Sequence, residues 1–420
     1  MAKELASLES MMHLAIIWAG IYVAVFAAEK TRLTPVLFYL AIGCLLVNAG
    51  VLPTEEDAFI RGFAELGIIL IMFAIGFEEQ TNRFVQSIKK SWGIALFGAI
   101  APFVAAYAVA EYFWGDANIS LMCGLTMTAT AVSLTMVSLK SEGLGRSSAA
   151  TRIMTSAVLD DIASLVLVAI MVPIVTQESV PDAAAIATTI LQVAVFFVIV
   201  TVVGAWVLPI KPSGWFKRIP LIGDVCIYNL LAFGKGQYAF LAMLLLAVAV
   251  GLLSHAFGFH PAVGAYMAGL IIREEYFSTA DTRGSYGEIK NTLDLIAFSI
   301  IGPVFFVTLG TKLVFDWQIL MSVIPHMIAM TVAVFVLQIA SAALAARYTS
   351  DLDWPNSMMV GFGMLGRAEL AFVVMDIAYV QYEILSTEAF YTLMTSIFWL
   401  NVAVPVTISL WKPHCKTSEG

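Results

Sequence analysis

Two adjacent aspartates lie inside an otherwise apolar stretch of the chain. The segment SAVLDDIASLVLVAIMVPIV, residues 156–175, carries charge only at Asp160 and Asp161. An aspartate at the centre of a membrane helix costs about 2.5–3.5 kcal/mol on insertion scales. Asp161 follows Arg152 by nine residues, which places it roughly 13 Å along a helix, close to the midplane of a bilayer. A pair kept at this cost indicates a function.

A buried carboxylate pair can hold either a proton or a cation. Removal from water favours the protonated form of an acid, and a second carboxylate beside it strengthens that preference. The same oxygens are hard ligands for a dehydrated cation. Proton and cation therefore compete for one site. A site that opens alternately to the two sides of a membrane then exchanges one for the other.

The composition favours a membrane protein with many spans. Hydrophobic residues make up 60% of the 420 residues and charged residues 12%, against about 25% charged residues in soluble domains. The net charge of −8 argues against a nucleic-acid partner. Thirteen stretches are long and apolar enough to cross a bilayer, and we number them spans 1 to 13. They lie near residues 11–28, 34–52, 60–77, 92–111, 119–139, 153–175, 184–208, 237–254, 259–273, 293–311, 319–346, 356–380 and 388–411.

The distribution of basic residues predicts the orientation. If successive loops alternate between the two sides, one set of loops holds 18 of the 22 Lys and Arg residues. Positively charged loops stay in the cytoplasm, so the N-terminus is predicted outside and the C-terminus in the cytoplasm. We expect an integral membrane protein in this orientation.

Spans 2–6 and 9–13 can be aligned as two sets of five helices in opposite orientation, a common plan of secondary transporters. The fourth span of each set disfavours a continuous helix, since span 5 contains TMTATAVSLT (126–135) and span 12 contains GFGMLGRAEL (361–370). Hydroxyl side chains can bond freed backbone groups, and glycine permits an extended turn. The sequence thus predicts an all-α membrane protein with inverted repeats and two broken helices. Close packing of small residues is the alternative explanation of both stretches.

Two charged residues follow the glycines of span 12. If the first half of this span ends near Gly366, Arg367 would offset the negative carbonyl end of that half-helix. Glu369 would then lie at the positive amide end of the second half. A buried ion pair with another helix is the alternative for both residues.

Six motifs, in order, resemble those of the monovalent cation:proton antiporters, in the second, bacterial-type branch that includes Na+/H+ antiporters and glutathione-gated K+ efflux systems. The resemblance covers nearly the whole chain, and one of the six is the double-aspartate motif. The motifs are LGIILIMFAIGFE (66–78), TATAVSLTMVSLKSEG (128–143), VLDD (158–161), HPAVGAYMAGLII (260–272), PVFFVTLG (303–310) and GMLGRAEL (363–370).

The resemblance implies a division into domains. A core ion-transport domain would comprise residues 91–183 and 319–420, with spans 5 and 12 crossing inside it. A dimerisation domain would comprise residues 1–90 and 237–318 and form a homodimer through spans 1 and 8. Residues 184–236 would form a linker helix and an interfacial segment.

The resemblance also implies the site residues. Asp161 would be the main cation and proton ligand, with Asp160 as its partner, and Thr128 and Thr130 at the crossing would supply further oxygens. Many electrogenic members carry a lysine in the span before the second crossing, facing the first aspartate, where this chain has Gln338. Because glutamine carries neither a charge nor a titratable proton, we expect electroneutral exchange or weak voltage dependence. A polar residue merely packed between helices is the alternative.

These features together predict a secondary active transporter, and not an enzyme, that exchanges Na+ or Li+ for H+ without a cofactor. The nearest alternative is K+/H+ exchange or K+ efflux on the same scaffold. A sodium-coupled symporter of organic anions shares the inverted-repeat plan. It would require cationic groups for its anion, and Arg367 is the one cation that the sequence places at mid-depth. An enzyme would require a nucleophile with its base, and the sequence offers no such set.

Overall fold

The computed structural model describes residues 2–31, 34–54, 58–78, 81–145, 147–175, 183–202, 231, 238–257, 259–272, 274–277, 285–314, 316–367 and 369–415. Within these ranges the regular structure is entirely helical. Seven helical stretches in these ranges, one of them the composite stretch Tyr286–Thr311, are long and apolar enough to cross a membrane. Each of the thirteen predicted spans contains helix in its described part, whereas the count of thirteen crossings stays a prediction. Most of the predicted interfacial segment lies outside the described residues.

The helices are named here in chain order. The first eight described helices are α1 (Ala2–Thr31), α2 (Pro35–Asn48), α3 (Ala58–Glu78), α4 (Thr81–Trp114), α5 (Ala117–Thr126), α6 (Val132–Ser141), α7 (Ser148–Val175) and α8 (Ala183–Val202). The others are α9 (Ala239–Ala256), α10 (Pro261–Ile271), α11 (Ser285–Leu295), α12 (Gly302–Thr311), α13 (Trp317–Ser322), α14 (Ile324–Thr349), α15 (Trp354–Gly363), α16 (Glu369–Met375) and α17 (Thr387–Trp411). π-Helical turns follow α11 at Ile296–Ile300 and α16 at Asp376–Gln381. Short 3-10 turns occur at Glu274–Phe277 and Lys412–His414.

Contacts divide the chain into two compact units. The first comprises Met1–Leu14, Glu56–Arg83 and Gln177–Phe305, and the second comprises Ala15–Glu55, Phe84–Thr176 and Phe306–Gly420. The second unit contains the aspartate pair and both broken spans. It also contains α2 and most of α1, which the sequence placed in a dimerisation domain. The functional division into core and dimerisation domains stays a prediction.

In the first unit, α3 packs closely against α10 through glycine. A Cβ atom on Gly76 would collide with the carbonyl oxygen of Tyr266, and a Cβ atom on Gly269 would collide with the carbonyl oxygen of Phe73. Glycine therefore lets the two backbones approach directly, as small residues commonly do where membrane helices pack.

Candidate functional site

Both predicted helix breaks are present in the second unit, and they are hydrogen-bonded to each other. The helix is interrupted at residues 127–131, between α5 and α6, and at residues 364–367, before α16. The backbone N–H of Ala131 in the first break donates to the carbonyl oxygen of Gly366 in the second, at 2.8 Å. The crossing thus satisfies backbone groups that neither half-helix can use, as irregular backbone at membrane depth requires.

Small side chains make this close approach possible. A Cβ atom on Gly366 would lie 3.1 Å from the Cβ of Ala131. One turn away, the Thr135 hydroxyl donates to the carbonyl oxygen of Gly363 at 2.6 Å, and a Cβ atom on Gly363 would lie 2.9 Å from the Cγ2 of Thr135. Gly363 and Gly366 of span 12 therefore meet Thr135 and Ala131 of span 5, which agrees with the small and hydroxyl side chains in both stretches.

Local capping defines α5, the half-helix that leads into the first break. At its start, the Asp116 carboxylate accepts hydrogen bonds from the backbone N–H groups of Asn118 and Ile119, at 2.8 and 3.2 Å, as expected of an N-cap residue. At its end, the buried Thr128 hydroxyl donates to the carbonyl oxygen of Gly124 at 3.0 Å. The hydrogen of Thr128 is therefore used locally, while its oxygen keeps lone pairs for a further partner.

The Asp160 carboxylate is held by the first break. Its Oδ2 atom accepts hydrogen bonds from the backbone N–H of Thr130 at 3.1 Å and from the Thr130 hydroxyl at 2.5 Å. The Asp160 side chain has no exposed surface. Its second oxygen, Oδ1, is buried and has no hydrogen-bond partner among the described residues. One carboxylate oxygen thus fixes the position of the side chain, and the other remains open to a ligand.

Arg367 occupies the second break. The guanidinium is almost fully buried, with 1% of the residue exposed. Its Nη1 atom donates to the carbonyl oxygens of Met364, Leu365 and Gly366, at 3.0, 3.3 and 3.0 Å. These carbonyls directly follow α15 and have lost their helical partners. Arg367 therefore places a positive charge at the negative end of the half-helix, where such a charge is favourable.

The Gln338 amide contacts Arg367. Arg367 Nη2 donates to Gln338 Oε1 at 2.9 Å, and Gln338 is fully buried on α14. The comparison with lysine-containing antiporters suggested that this position faces the first aspartate, whereas the contact formed by the glutamine is with the guanidinium. Arg367 also interacts electrostatically with Asp160. The positive charge near Asp160 therefore comes from span 12, and Gln338 helps to fix it.

Asn401 on α17 is a buried site residue that the sequence reasoning missed. Its Oδ1 atom accepts a hydrogen bond from the backbone N–H of Arg367 at 2.7 Å, and its Nδ2 atom donates to the carbonyl oxygen of Arg367 at 2.9 Å. The amide thus replaces the helical partners of one residue in the break. An asparagine inside the apolar run FWLNVAVPV (398–406) was the available signal, because polar side chains inside membrane spans commonly bond a neighbouring helix.

The remaining predicted site residues lie close by along the chain. The backbone of Asp161 belongs to α7, but its side chain lies outside the described part of the structure. Glu369 is the first residue of α16 and is half-buried. The described geometry thus brings together Thr130, Asp160, Gln338 and Arg367, with Thr128 two residues from Thr130 along the same break.

The sequence of the chain matches a known family over almost its whole length. The family model described as "Sodium/hydrogen exchanger, transmembrane" matches residues 14–411. The chain belongs to the sodium/hydrogen exchanger family. It is 22% identical over 354 residues to a Na+/H+ antiporter of Enterococcus hirae, which covers 83% of this chain and 84% of that protein. It is 25% identical over 347 residues to the Na+/H+-K+ antiporter GerN of Bacillus cereus, which covers 81% of this chain and 80% of GerN.

The fold of this exchanger-family chain is that of a solved antiporter. The structure of the sodium proton antiporter MjNhaP1 from Methanocaldococcus jannaschii aligns with a TM-score of 0.69 and 13% sequence identity, and the alignment covers 96% of this chain and 99% of MjNhaP1. The all-helical membrane architecture expected from the sequence is therefore confirmed, and the family is one of transporters and not of enzymes.

Proposed function

We propose that this protein exchanges Na+ or Li+ for H+ across a membrane by alternating access, and that cation and proton compete for the pair Asp160 and Asp161. The observation that carries the proposal is the buried Asp160 carboxylate, held by one helix break beside a second break that fixes a positive charge. Membership of the sodium/hydrogen exchanger family supports it. Both relatives described above are named Na+/H+ antiporters, which agrees with this chemistry.

The architecture that we propose has thirteen spans and two inverted five-helix repeats. The breaks in spans 5 and 12, at matching places of the two sets, support the repeat. The chain would form a homodimer through spans 1 and 8 in a bacterial plasma membrane, with its N-terminus outside and its C-terminus in the cytoplasm. The concentration of basic residues in one set of loops supports this orientation.

Each site residue has a proposed role. Asp161 is the main ligand for cation and proton, and Asp160 is its partner. Thr128 and Thr130 supply further oxygens at the crossing. Arg367 is a fixed countercharge that Gln338 orients. Glu369 balances the amide end of α16, and we propose no direct contact between Glu369 and the transported cation.

Two alternatives remain on the same fold. K+ could replace Na+ as the transported cation, and the name of the Na+/H+-K+ antiporter GerN includes K+. Sodium-coupled uptake of an organic anion is disfavoured, because both terminal nitrogens of the Arg367 guanidinium already donate, Nη1 to three carbonyl oxygens and Nη2 to Gln338 Oε1. A cation so engaged is poorly available to an anionic substrate.

Exchange in proteoliposomes tests the proposed function. Purified protein is reconstituted, a pH gradient is imposed, and uptake of Na+, Li+ and K+ is measured. We expect Na+ and Li+ uptake that Asp161→Asn abolishes, because an amide neither binds a proton nor carries a charge. The apparent KM for the cation should rise as the pH falls, since protons occupy the same oxygens.

A matched substitution provides the control. Asp116→Asn makes the same change at the exposed N-cap of α5, where asparagine accepts the same two hydrogen bonds, and it should leave transport unchanged. Strong Na+ uptake by a well-folded Asp161→Asn protein would falsify the site assignment. Uptake of K+ without Na+ or Li+ would replace the proposed cation.

A further inference from the structure

A stripe of three buried polar side chains runs along one face of α7. Ser156, Asp160 and Ser164 follow one another at intervals of four residues, and their exposed fractions are 0%, 0% and 1%. Residues four apart lie one above the other on a helix. Ser164 therefore lies one turn beyond Asp160, on the side away from Arg152.

The hydroxyl of Ser164 behaves differently from the other buried hydroxyls nearby. A serine or threonine inside a membrane helix usually donates to a carbonyl oxygen three or four residues earlier in its own helix. Four buried hydroxyls around the crossing do so, namely those of Thr126, Thr128, Ser138 and Ser156. Ser164 Oγ is buried and has no hydrogen-bond partner among the described residues. Its hydroxyl is therefore available to a group that the helix itself does not supply.

A second open oxygen lies one turn away. Asp160 Oδ1 is also buried and without a partner in the described part of the chain, because both hydrogen bonds from Thr130 go to Oδ2. Buried polar atoms are almost always satisfied by protein, water or a bound ligand. Two unsatisfied oxygens on adjacent turns of one helix face therefore point to one group that both contact.

We propose that Ser164 is a ligand of the transported cation, with its Oγ atom and Asp160 Oδ1 both contacting the ion. This inference rests on the proposed cation exchange and adds a residue to it. A small hard cation prefers carboxylate and hydroxyl oxygens. Ser164 also follows Asp161 by three residues, so the helix places it on the turn next to both members of the pair.

The chemistry of a hydroxyl ligand predicts a specific kinetic signature. A serine hydroxyl adds an oxygen ligand to the cation but does not ionise in the working pH range. Ser164→Ala should therefore raise the apparent KM for Na+ and Li+ about tenfold, while the maximal rate changes by less than about twofold. Inhibition by protons, measured at a fixed ratio of cation concentration to KM, should keep its pH profile.

Two further variants make the interpretation specific. Ser164→Thr retains the hydroxyl and should restore the KM of the wild type. Ser156→Ala removes the hydroxyl on the opposite side of Asp160, which already donates to the carbonyl oxygen of Ile153 at 3.1 Å, and it should leave the KM unchanged. Thermal stabilisation of the purified proteins by Na+ or Li+ gives a second measurement, and we expect Ser164→Ala to lose the stabilisation that Ser156→Ala keeps.

The outcomes separate this inference from the proposed function. If the wild type exchanges a cation for protons and Ser164→Ala has an unchanged KM, Ser164 is not a ligand. A lower maximal rate at constant KM, together with a lower unfolding temperature without cation, would assign Ser164 to packing and overturn the inference. If the wild type exchanges no monovalent cation, the proposed function itself fails, and the assignment of Ser164 falls with it.

Discussion

Asn401 offers the most direct test of how the broken helix is held. Its amide forms two hydrogen bonds with the backbone of one residue, Arg367, at 2.7 and 2.9 Å, and Asn401 has no exposed surface. Asn401→Leu removes both bonds while keeping a side chain of similar size. The N–H and carbonyl groups of Arg367 are then left buried without these partners.

The expected loss follows from the cost of unsatisfied buried groups. Each such group costs about 1–3 kcal/mol, so the two together should lower the free energy of unfolding by about 2–6 kcal/mol. A transporter of ordinary stability, about 5–15 kcal/mol, would be strongly weakened. Transport should also slow by about tenfold or more, because Arg367 and the crossing at Gly366 depend on this backbone, and small misplacements at a working site are costly.

Asn48 provides the matched control for this change. Its side chain also donates to two backbone carbonyls, those of Cys44 and Leu313, at 2.7 and 2.8 Å, but it lies at the exposed end of α2. Water can replace the amide there, so Asn48→Leu should lower the free energy of unfolding by less than about 1.5 kcal/mol. Equilibrium unfolding in mixed micelles measures the free energy of unfolding of both variants and of the wild type. A loss for Asn401→Leu no greater than that for Asn48→Leu would refute the claim that this amide holds the break.

Two further predictions concern charge movement and orientation. With a K+/valinomycin potential and no pH gradient, we expect little or no accumulation of Na+, because Arg367 cannot release a proton and one carboxylate cycles between one proton and one cation. Accumulation driven by the potential alone, which supplies about 2.3 kcal/mol per charge per 100 mV, would show that the exchange is electrogenic. Gln338→Lys should introduce such voltage dependence if position 338 corresponds to the lysine of the electrogenic antiporters. For orientation, Glu4→Cys in a cysteine-free background should react with an impermeant maleimide from outside intact cells, and Ser418→Cys should not. Labelling of position 418 from outside would contradict the predicted topology and with it the inverted repeat.

The sequence predicted those features of the fold that depend on residues close together along the chain. The apolar spans follow from local composition, because every helix that crosses a bilayer must be largely apolar and must satisfy most of its backbone hydrogen bonds within itself. The breaks at 127–131 and 364–367 follow from local runs of hydroxyl and glycine residues, which weaken a helix wherever it packs. The position of Arg367 beyond the end of a half-helix followed from the same reasoning, and the structure shows the guanidinium on the carbonyls there.

Only the tertiary structure decided which side chains meet at the site. Thr130 bonds Asp160 across 30 residues of sequence, Gln338 bonds Arg367 across 29, and Asn401 bonds Arg367 across 34. Each pair depends on the rotation of one helix against another, which packing over many residues sets and which no local pattern encodes. For this reason the sequence located Gln338 and missed both its partner and the role of Asn401. The open oxygens of Asp160 and Ser164 became visible in the same way, because an unsatisfied atom is defined only once every neighbouring helix is in place.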